Sequence, residues 1–319
     1  MKRLLFLLLF IPAFALGQSV YTYGGDVVRY SDNVLTYTAP IYCVEYQAVY
    51  DVFTTPPSDD IAAAQNTMVE ALVDNGVWIK LDIFYVFAQS TNGGNEALKN
   101  WKLPGTYDCT LANAPTFTAL EGFTGNGTTQ SINTNWKPLS NGVNYTQNNA
   151  SAGVYVRNNI ARAEFEFGAV SPTNIGNTVL ETRRNDNYMI GRLNQGGGDD
   201  YVASTDSRGM WIINRVISTS AVYYRNKGVF KVGSTASTGL IDLDFYLLGY
   251  NSNGAPAALS TKQISMFFTG GGLTQGDIDN LTNAFETYMD SNSKGVISET
   301  FYLLLLCIIM ARKKQKRTK

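Results

Sequence analysis

The chain has 319 residues, of which 45% are hydrophobic, enough for a sizeable core. Apart from the basic residues at its two ends, residues 4–311 carry 17 Lys and Arg against 26 Asp and Glu, a net charge of −9. An acidic body of this kind argues against nucleic acid as a partner. The sequence contains no histidine, which removes the commonest general base, the usual serine-hydrolase triad and most catalytic zinc sites.

The N-terminus has the pattern of a secretory signal peptide. Three residues, Met1-Lys2-Arg3, precede an apolar run from Leu4 to Leu16, and Gly17 follows at a small-residue cleavage position. Pro12 and the shortness of the run argue against a membrane-spanning helix. We therefore predict a signal peptide over residues 1–17 and a secreted or cell-surface protein.

Residues 18–44 contain two related pieces, 23–30 and 30–37, and each is a turn followed by alternating strand residues. This pattern predicts a small β-ribbon with its tyrosines on one face. Such a face either covers apolar surface, as an edge hairpin does, or contacts a partner.

Residues 45–105 have a helical pattern. Ser58 is placed to cap a helix whose apolar face includes Met68 and Leu72, and Gly76 ends it. The strongly apolar run 77–88 is compatible with either a strand or a buried helix. This part of the chain predicts a small helical subdomain ahead of the next domain.

Three cysteines are present. In an exported protein, Cys43 and Cys109 either form a disulfide or remain two buried thiols. Cys307 lies in the hydrophobic C-terminal tail, and we expect no chemistry from it.

Three strand signals and a helix follow in order near the end of residues 106–290. The turn from Arg225 to Gly228 predicts a hairpin, since its Asn and Gly tolerate positive φ. Further strands are predicted over Asp242 to Leu248 and Ile264 to Thr269. Thr274 then caps a predicted helix with one apolar face, which consists of Ile278, Leu281, Phe285 and Tyr288.

The order of these motifs resembles the closing half of the concanavalin A-like, LamG-type jelly-roll superfamily. The matching stretches are Tyr224 to Gly228, Leu248-Gly249 and Ile264 to Thr274, and Phe123 to Thr134 is similar to the opening strand pair of the superfamily. The resemblance implies a mainly β fold, a two-sheet antiparallel jelly-roll sandwich over residues 106–290. A small helical N-terminal subdomain and a C-terminal helix on the sandwich complete that expectation. Domains of this kind occur in secreted bacterial and phage surface proteins.

Paired carboxylates are the remaining route to catalysis, since the superfamily includes glucanases with a Glu-x-Asp-x-x-Glu run on one strand. Glu164 and Glu166 come closest to this pattern, but Gly168 and Ala169 stand where further acids would fall. The alternation favours a half-solvated strand for these two glutamates, and the same holds for the two aspartates in 241–245.

Calcium is the one metal that the sequence offers a place for. Asp199, Asp200 and Asp206 lie in or near a glycine-rich loop, and hard oxygen ligands suit this ion. Their spacing matches no EF-hand loop, so a mobile loop without metal is the alternative. No other cofactor is expected.

A glycan site needs aromatic side chains beside amides and carboxylates, because sugars present apolar ring faces and directed hydroxyl groups. Arg184, Asn185, Asp186 and Tyr188 lie in the most polar loop and are the best candidates, with Trp211 as a further contact. An ordinary solvated loop is the alternative. Packing in the core or at its rim is likewise the alternative for each aromatic candidate, namely Trp136, Tyr188, Tyr201, Trp211 and Tyr250.

Residues 291–319 form a hydrophobic and then basic tail. The apolar stretch runs from Phe301 to Ala311 and is followed at once by Arg312 to Lys319, which holds six basic residues. As a helix this stretch would span about 16 Å, against about 30 Å for the hydrocarbon core of a bilayer. The tail either attaches the protein to a membrane, in a manner similar to bacterial sorting tails, or is solvated.

Together these features predict a secreted or surface-attached binding or adhesion module without enzymatic activity. Its expected ligand is a glycan or another cell-surface molecule. Two alternatives remain: a structural or receptor-binding protein of a phage-like particle or surface assembly, and a carboxylate-dependent glycoside hydrolase.

Overall fold

The structure is a computed structural model that describes residues 20–23, 26–31, 34–37 and 42–291. The predicted signal peptide and the tail from residue 292 onward, with Cys307, lie outside the described residues. Among the helices that are described, none combines the length and the apolar character needed to cross a membrane.

β-strands make up most of the regular secondary structure of the described chain. In chain order the strands are β1 (Val20–Tyr23), β2 (Asp26–Ser31), β3 (Val34–Tyr37), β4 (Leu81–Val86), β5 (Thr110–Ala112), β6 (Thr116–Thr118), β7 (Gly122–Thr124), β8 (Ser131–Asn133), β9 (Ala150–Val156), β10 (Phe167–Val170), β11 (Asn177–Glu181), β12 (Tyr188–Gln195), β13 (Asp200–Ala203), β14 (Gly209–Ile217), β15 (Ser220–Arg225), β16 (Gly228–Val232), β17 (Tyr246–Leu247), β18 (Tyr250–Ser252), β19 (Ala255–Ala257) and β20 (Gln263–Gly270).

The described residues also contain four helices. They are α1 (Val44–Tyr50), α2 (Asp59–Asp74), α3 (Pro138–Asn141) and α4 (275–291), with single 3-10 turns at Trp78–Lys80 and Glu96–Leu98.

The strands form one ribbon and two large sheets. The ribbon has the order β1-β2-β3. The nine-stranded sheet has the order β13-β12-β11-β10-β17-β8-β5, with β18 beside β10 and β19 beside β18. The eight-stranded sheet has the order β16-β15-β14-β9-β20-β7-β6, with β4 also paired to β20. Pairing is antiparallel except between β10 and β18. The predicted mainly β, two-sheet antiparallel sandwich with a helical N-terminal part and a C-terminal helix is confirmed.

The eight-stranded sheet is buried on both faces. Along β20, Phe267 points into the core between the two sheets, whereas Met266 and Phe268 point into a second core beneath the helices. Along β14, Trp211 points into the core between the sheets and Ile212 into the core beneath the helices. Because successive residues of a strand point to opposite faces, a sheet covered on both sides needs continuous apolar runs.

Helix α4 covers this sheet as its sequence predicts. The backbone N–H of Thr274 donates to the Asp277 carboxylate at 2.8 Å, and the Asp277 N–H donates back to the Thr274 hydroxyl at 3.2 Å. This reciprocal cap satisfies donors that the first turn of a helix leaves free. The predicted apolar face is buried in the second core, where it contributes Ile278, Leu281, Phe285 and Tyr288.

Other local predictions had mixed outcomes. The hairpin β15–β16 forms, with Asn226 at φ 56° in its turn. The strand predicted over Asp242 to Leu248 is wrong in extent, because only β17 pairs there. The apolar run 77–88 contains β4, which joins the eight-stranded sheet. Cys43 and Cys109 are both free thiols.

Candidate functional site

The face of the nine-stranded sheet that points away from the core carries a row of residues, which begins at the buried Glu181 and Ile190 and ends at exposed tyrosines beside the β13 edge. Glu181 on β11 pairs with Ile190 on β12, and Ile190 pairs with Tyr201 on β13. Directly paired residues of antiparallel strands share a face, and so do residues two apart on one strand. Tyr188, two residues before Ile190 on β12, therefore lies on the same face. Met189, between them, points the other way into the core. We call Tyr188, Ile190 and Tyr201 the tyrosine face.

The two tyrosine rings lie at the surface. Tyr188 is 38% exposed and Tyr201 is 63% exposed. Their ring centroids are 5.9 Å apart with planes at 70°, an edge-to-face pair across neighbouring strands. Since both rings stand on paired strands, they form a ready-made apolar platform with polar hydroxyl ends.

An ion pair lies on each side of the tyrosine face along β12. On one side the Arg184 guanidinium is 2.5 Å from Asp186 in the turn that leads into β12. On the other side the Arg192 guanidinium is 2.6 Å from Asp199. These groups donate and accept hydrogen bonds at the rim of the platform. The predicted residues Arg184, Asp186 and Tyr188 are thus brought together, and Asn185 is exposed in the same turn.

Trp211 does not belong to this surface. Its side chain is 0% exposed in the core between the sheets, and its ring N–H donates to the Ser207 carbonyl at 2.8 Å. Trp136 is equally buried, in an edge-to-face pair with Tyr145. Trp211 was therefore wrongly predicted as a surface contact: it lies on β14, whose inward residues fill the sandwich. Tyr250, a weaker candidate, is half-buried against Phe165.

Glu164 and Glu166 are also buried, with exposures of 1% and 0%. The prediction of a half-solvated strand is wrong for this pair. Each carboxylate is held by one threonine: Thr261 donates to Glu164 from its N–H at 2.9 Å and its hydroxyl at 3.0 Å, and Thr182 donates to Glu166 from both groups at 2.8 Å. Hydrogen bonds of this kind offset the cost of burying a charge.

Lys262 is the buried counter-ion of this cluster. Its ammonium nitrogen is 2.5 Å from Glu166, 3.9 Å from Glu164 and 3.5 Å from the carbonyl oxygen of Arg183. A buried charge without a partner is very costly, so the pairing is needed for the fold. Through Glu166, which binds Thr182, and Lys262, which binds the Arg183 carbonyl, the cluster also fixes the start of the turn that carries Arg184.

Glu181 is the third carboxyl group of the cluster. Its Oε1 accepts a hydrogen bond from the N–H of Glu164 at 3.1 Å. Burial raises the pKa of Glu181 to about 8, and the negative charge of Glu166 adds to this effect. The Glu181 side chain is therefore protonated at neutral pH, directly beside the tyrosine face.

The cluster is closed to a substrate in this arrangement. A catalytic acid or nucleophile must come within hydrogen-bond reach of the bond it attacks. Glu164 and Glu166 lie below the surface, and their oxygens are occupied by threonine and lysine donors. In this arrangement neither glutamate is placed to attack a bound substrate.

The three candidate calcium ligands are engaged with other groups. Asp199 pairs with Arg192, and Asp200 accepts a hydrogen bond from the Tyr223 hydroxyl at 2.9 Å. Asp206 lies within 3.0 Å of the Arg208 guanidinium, whose hydrogen bond lowers the pKa of this carboxyl. Within residues 42–291 no group of three or more acidic or cysteine side chains is arranged to hold a metal ion.

A separate cavity of about 330 Å³ lies at the opposite end of the sandwich. Leu139, Ile175 and Leu243 line it, with Asp242 and Asn253 among the polar lining residues. It is a second place where a ligand could be held, remote from the tyrosine face.

Sequence reasoning missed Ile190, Arg192 and Glu181. Ile190 and Arg192 follow Tyr188 at intervals of two residues, and this period of two could have indicated that they share a face of one strand. Glu181 carries no such signal, since its pairing across strands is a property of the register.

No protein-family model matches the chain, and no curated protein matches it significantly. Solved structures with similar folds include a Trypanosoma rangeli sialidase in complex with sialic acid, at 13% identity and a TM-score of 0.48, over 85% of this chain and 45% of the other. The receptor-binding domain of botulinum neurotoxin C/D mosaic serotype matches at 11% identity and a TM-score of 0.46, over 65% and 51%.

A structure of botulinum neurotoxin type C matches at 11% identity and a TM-score of 0.45, over 66% of this chain and 52% of the other. The cell entry of that toxin is described as dependent on interaction with two ganglioside molecules. The chain thus spans about half the length of these proteins. Likeness at this level carries no conclusion about this chain.

Proposed function

We propose that the chain is a secreted or surface-attached glycan-binding module of the LamG type, with its ligand on the tyrosine face. The observation that carries this proposal is the exposed pair Tyr188 and Tyr201 on a sheet whose other face is a packed core. Attachment through the C-terminal tail is part of the proposal. It rests on the apolar and then basic order of the residues after 300.

The chemistry of the face suits a sugar. A pyranose ring offers patches of C–H groups that pack on aromatic rings, while its hydroxyls need paired donors and acceptors. Tyr188 and Tyr201 supply the first, and the ion pairs Arg184–Asp186 and Arg192–Asp199 supply the second. Because strands rather than a long loop carry the rings, little ordering is needed on binding.

The test is binding of the full chain to a glycan array, followed by titration of the strongest ligands. Tyr201→Ala is expected to weaken binding about tenfold, the effect of losing roughly 1.4 kcal/mol of stacking. Leu139→Ala is the matched control, since it removes an exposed apolar side chain at the other end of the sandwich. Unchanged binding by Tyr201→Ala together with a loss in Leu139→Ala would place the ligand elsewhere.

Calcium is not required in this proposal. Asp199 and Asp206 already have arginine partners, so we expect equal affinities in calcium and in a chelator. A loss of glycan binding on chelation would instead support the calcium site that the sequence suggests.

A further inference from the structure

Arginine is concentrated at one end of the sandwich. Residues 42–291 contain eight arginines. Arg192 pairs with Val179 within β12, and Arg215 pairs with Ala150 at the start of β9, so these two lie away from this end. The other six form what we call the arginine end, and they are Arg157, Arg162, Arg183, Arg184, Arg208 and Arg225.

Contacts among loops make the arginine end one continuous surface. The Arg162 N–H donates to the Arg183 carbonyl at 3.4 Å, and the Arg183 guanidinium donates to the Asn159 side-chain oxygen at 2.8 Å. The same oxygen accepts from the Ser207 N–H at 3.0 Å. Asp206, one residue earlier, binds both Arg208 and Arg225.

Positive charge exceeds exposed negative charge at this end. The surface acids that pair with its arginines are Glu121, Asp186 and Asp206. The described part 42–291 as a whole carries 15 Lys and Arg against 23 Asp and Glu, a net charge of −8. A local excess of cations on an acidic protein is a feature that an anionic ligand would use.

Two guanidinium groups of the arginine end, those of Arg162 and Arg183, have no surface carboxylate as a partner. Arg183 donates to the amide oxygens of Asn159 and Asn187, and no carboxylate of the described residues forms an ion pair with it. Arg162 is 57% exposed, and its carboxylate neighbour, Glu164 at 3.6 Å, is buried beneath it. The Arg183 guanidinium is thus held in place without a counter-charge, whereas Arg162 shares its buried counter-ion Glu164 with Lys262, whose nitrogen lies 3.9 Å from that carboxylate.

We propose that Arg162 and Arg183 bind the acidic group of a carboxylated or sulfated glycan whose neighbouring ring packs on the tyrosine face. This inference rests on the proposed function and names its ligand class. Arginine suits carboxylate and sulfate oxygens because its planar group donates two parallel hydrogen bonds. The turn between Arg183 and the tyrosine face is short, because Arg183 binds Asn187 and Tyr188 is the next residue.

The test compares ligands of one backbone that differ only in charge. Isothermal titration uses oligogalacturonate against its methyl ester, and a sulfated galactan against the desulfated chain, at low and high salt. We expect the acidic member of one pair to bind at least tenfold more tightly, with affinity falling as salt rises. Which pair responds identifies carboxylate or sulfate as the group.

Variants then locate the effect. Arg162→Gln and the double variant with Arg183→Gln are expected to lose the preference for the acidic ligand. Lys137→Gln removes one positive charge at the opposite end and is expected to keep it. The charge comparison uses the wild-type chain, so it decides the question even if the double variant folds poorly.

Three results would overturn the inference. Equal binding of acidic and neutral ligands, with binding lost only in Tyr201→Ala, would support the glycan-binding function but refute the preference for an acidic ligand. Binding of a DNA oligonucleotide as tight as the sulfated galactan would indicate recognition of charge alone. Absence of binding to every glycan would contradict both proposals together.

Discussion

Replacing Glu181 by glutamine is expected to stabilise the protein relative to the wild type, and this difference in the free energy of unfolding is expected to grow as the pH rises. The folded protein holds the Glu181 proton up to a pKa of about 8, whereas the ordinary value is 4.5. Stability contributed by the neutral carboxyl is fully present below pH 4.5 and is lost progressively up to about pH 8. Glutamine has nearly the same shape, keeps an oxygen that accepts from the Glu164 N–H, and does not titrate.

The magnitude follows from the difference between the two pKa values. Each pH unit between them costs the folded state about 1.4 kcal/mol, because the unfolded chain ionises and the folded chain does not. From pH 5 to pH 8 the sum is about 3 to 4 kcal/mol. This is a large share of the stability of an ordinary domain, so the effect is well above experimental error.

The assay is urea unfolding at pH 5, 6, 7 and 8, followed by the fluorescence of the buried tryptophans. The free energy of unfolding of Glu181→Gln minus that of the wild type is expected to grow steadily over this range. Glu70→Gln, which removes an exposed carboxyl on α2, is the control. A difference that stays constant from pH 5 to pH 8 would refute the claim that Glu181 is buried as a neutral acid.

Three further predictions concern the same fold. Lys262→Met leaves Glu166 buried without its ammonium partner and is expected to cost about 3 to 5 kcal/mol in urea unfolding, whereas a near-neutral result would contradict the buried pair. Gly191→Ala places a methyl group against the Tyr223 ring, so a lower thermal midpoint is expected, and an unchanged midpoint would argue against this close approach. Trp211→Ala is expected to cost about 3 to 5 kcal/mol yet keep glycan affinity in the folded fraction, measured by titration at low temperature; lost affinity would return Trp211 to the site.

Local sequence signals predicted those elements whose cause is local. The turn at Asn226 and the cap formed by Thr274 and Asp277 depend on a few neighbouring residues, and both occur as predicted. The run 77–88 could not be assigned as strand or helix. Since β4 lies in a sheet covered on both faces, the alternation that identifies a strand is missing there.

The errors at the candidate site have a shared cause. Glu164 and Glu166 alternate with apolar residues as a solvated strand would, and what buries them is Lys262, which lies nearly 100 residues further along the chain. Trp211 likewise stands near polar loop residues in sequence but points into the core. Partners distant in sequence decide burial, and a single sequence does not show them.

The central claim is that the tyrosine face is the glycan-binding site. A crystal structure of the protein with its strongest array ligand tests this most directly. The account predicts a sugar ring packed against Tyr201, with carbon atoms within about 4 Å of the aromatic ring. A sugar bound in the cavity beside Leu139 and Ile175, with both tyrosines of the face bare, would contradict it.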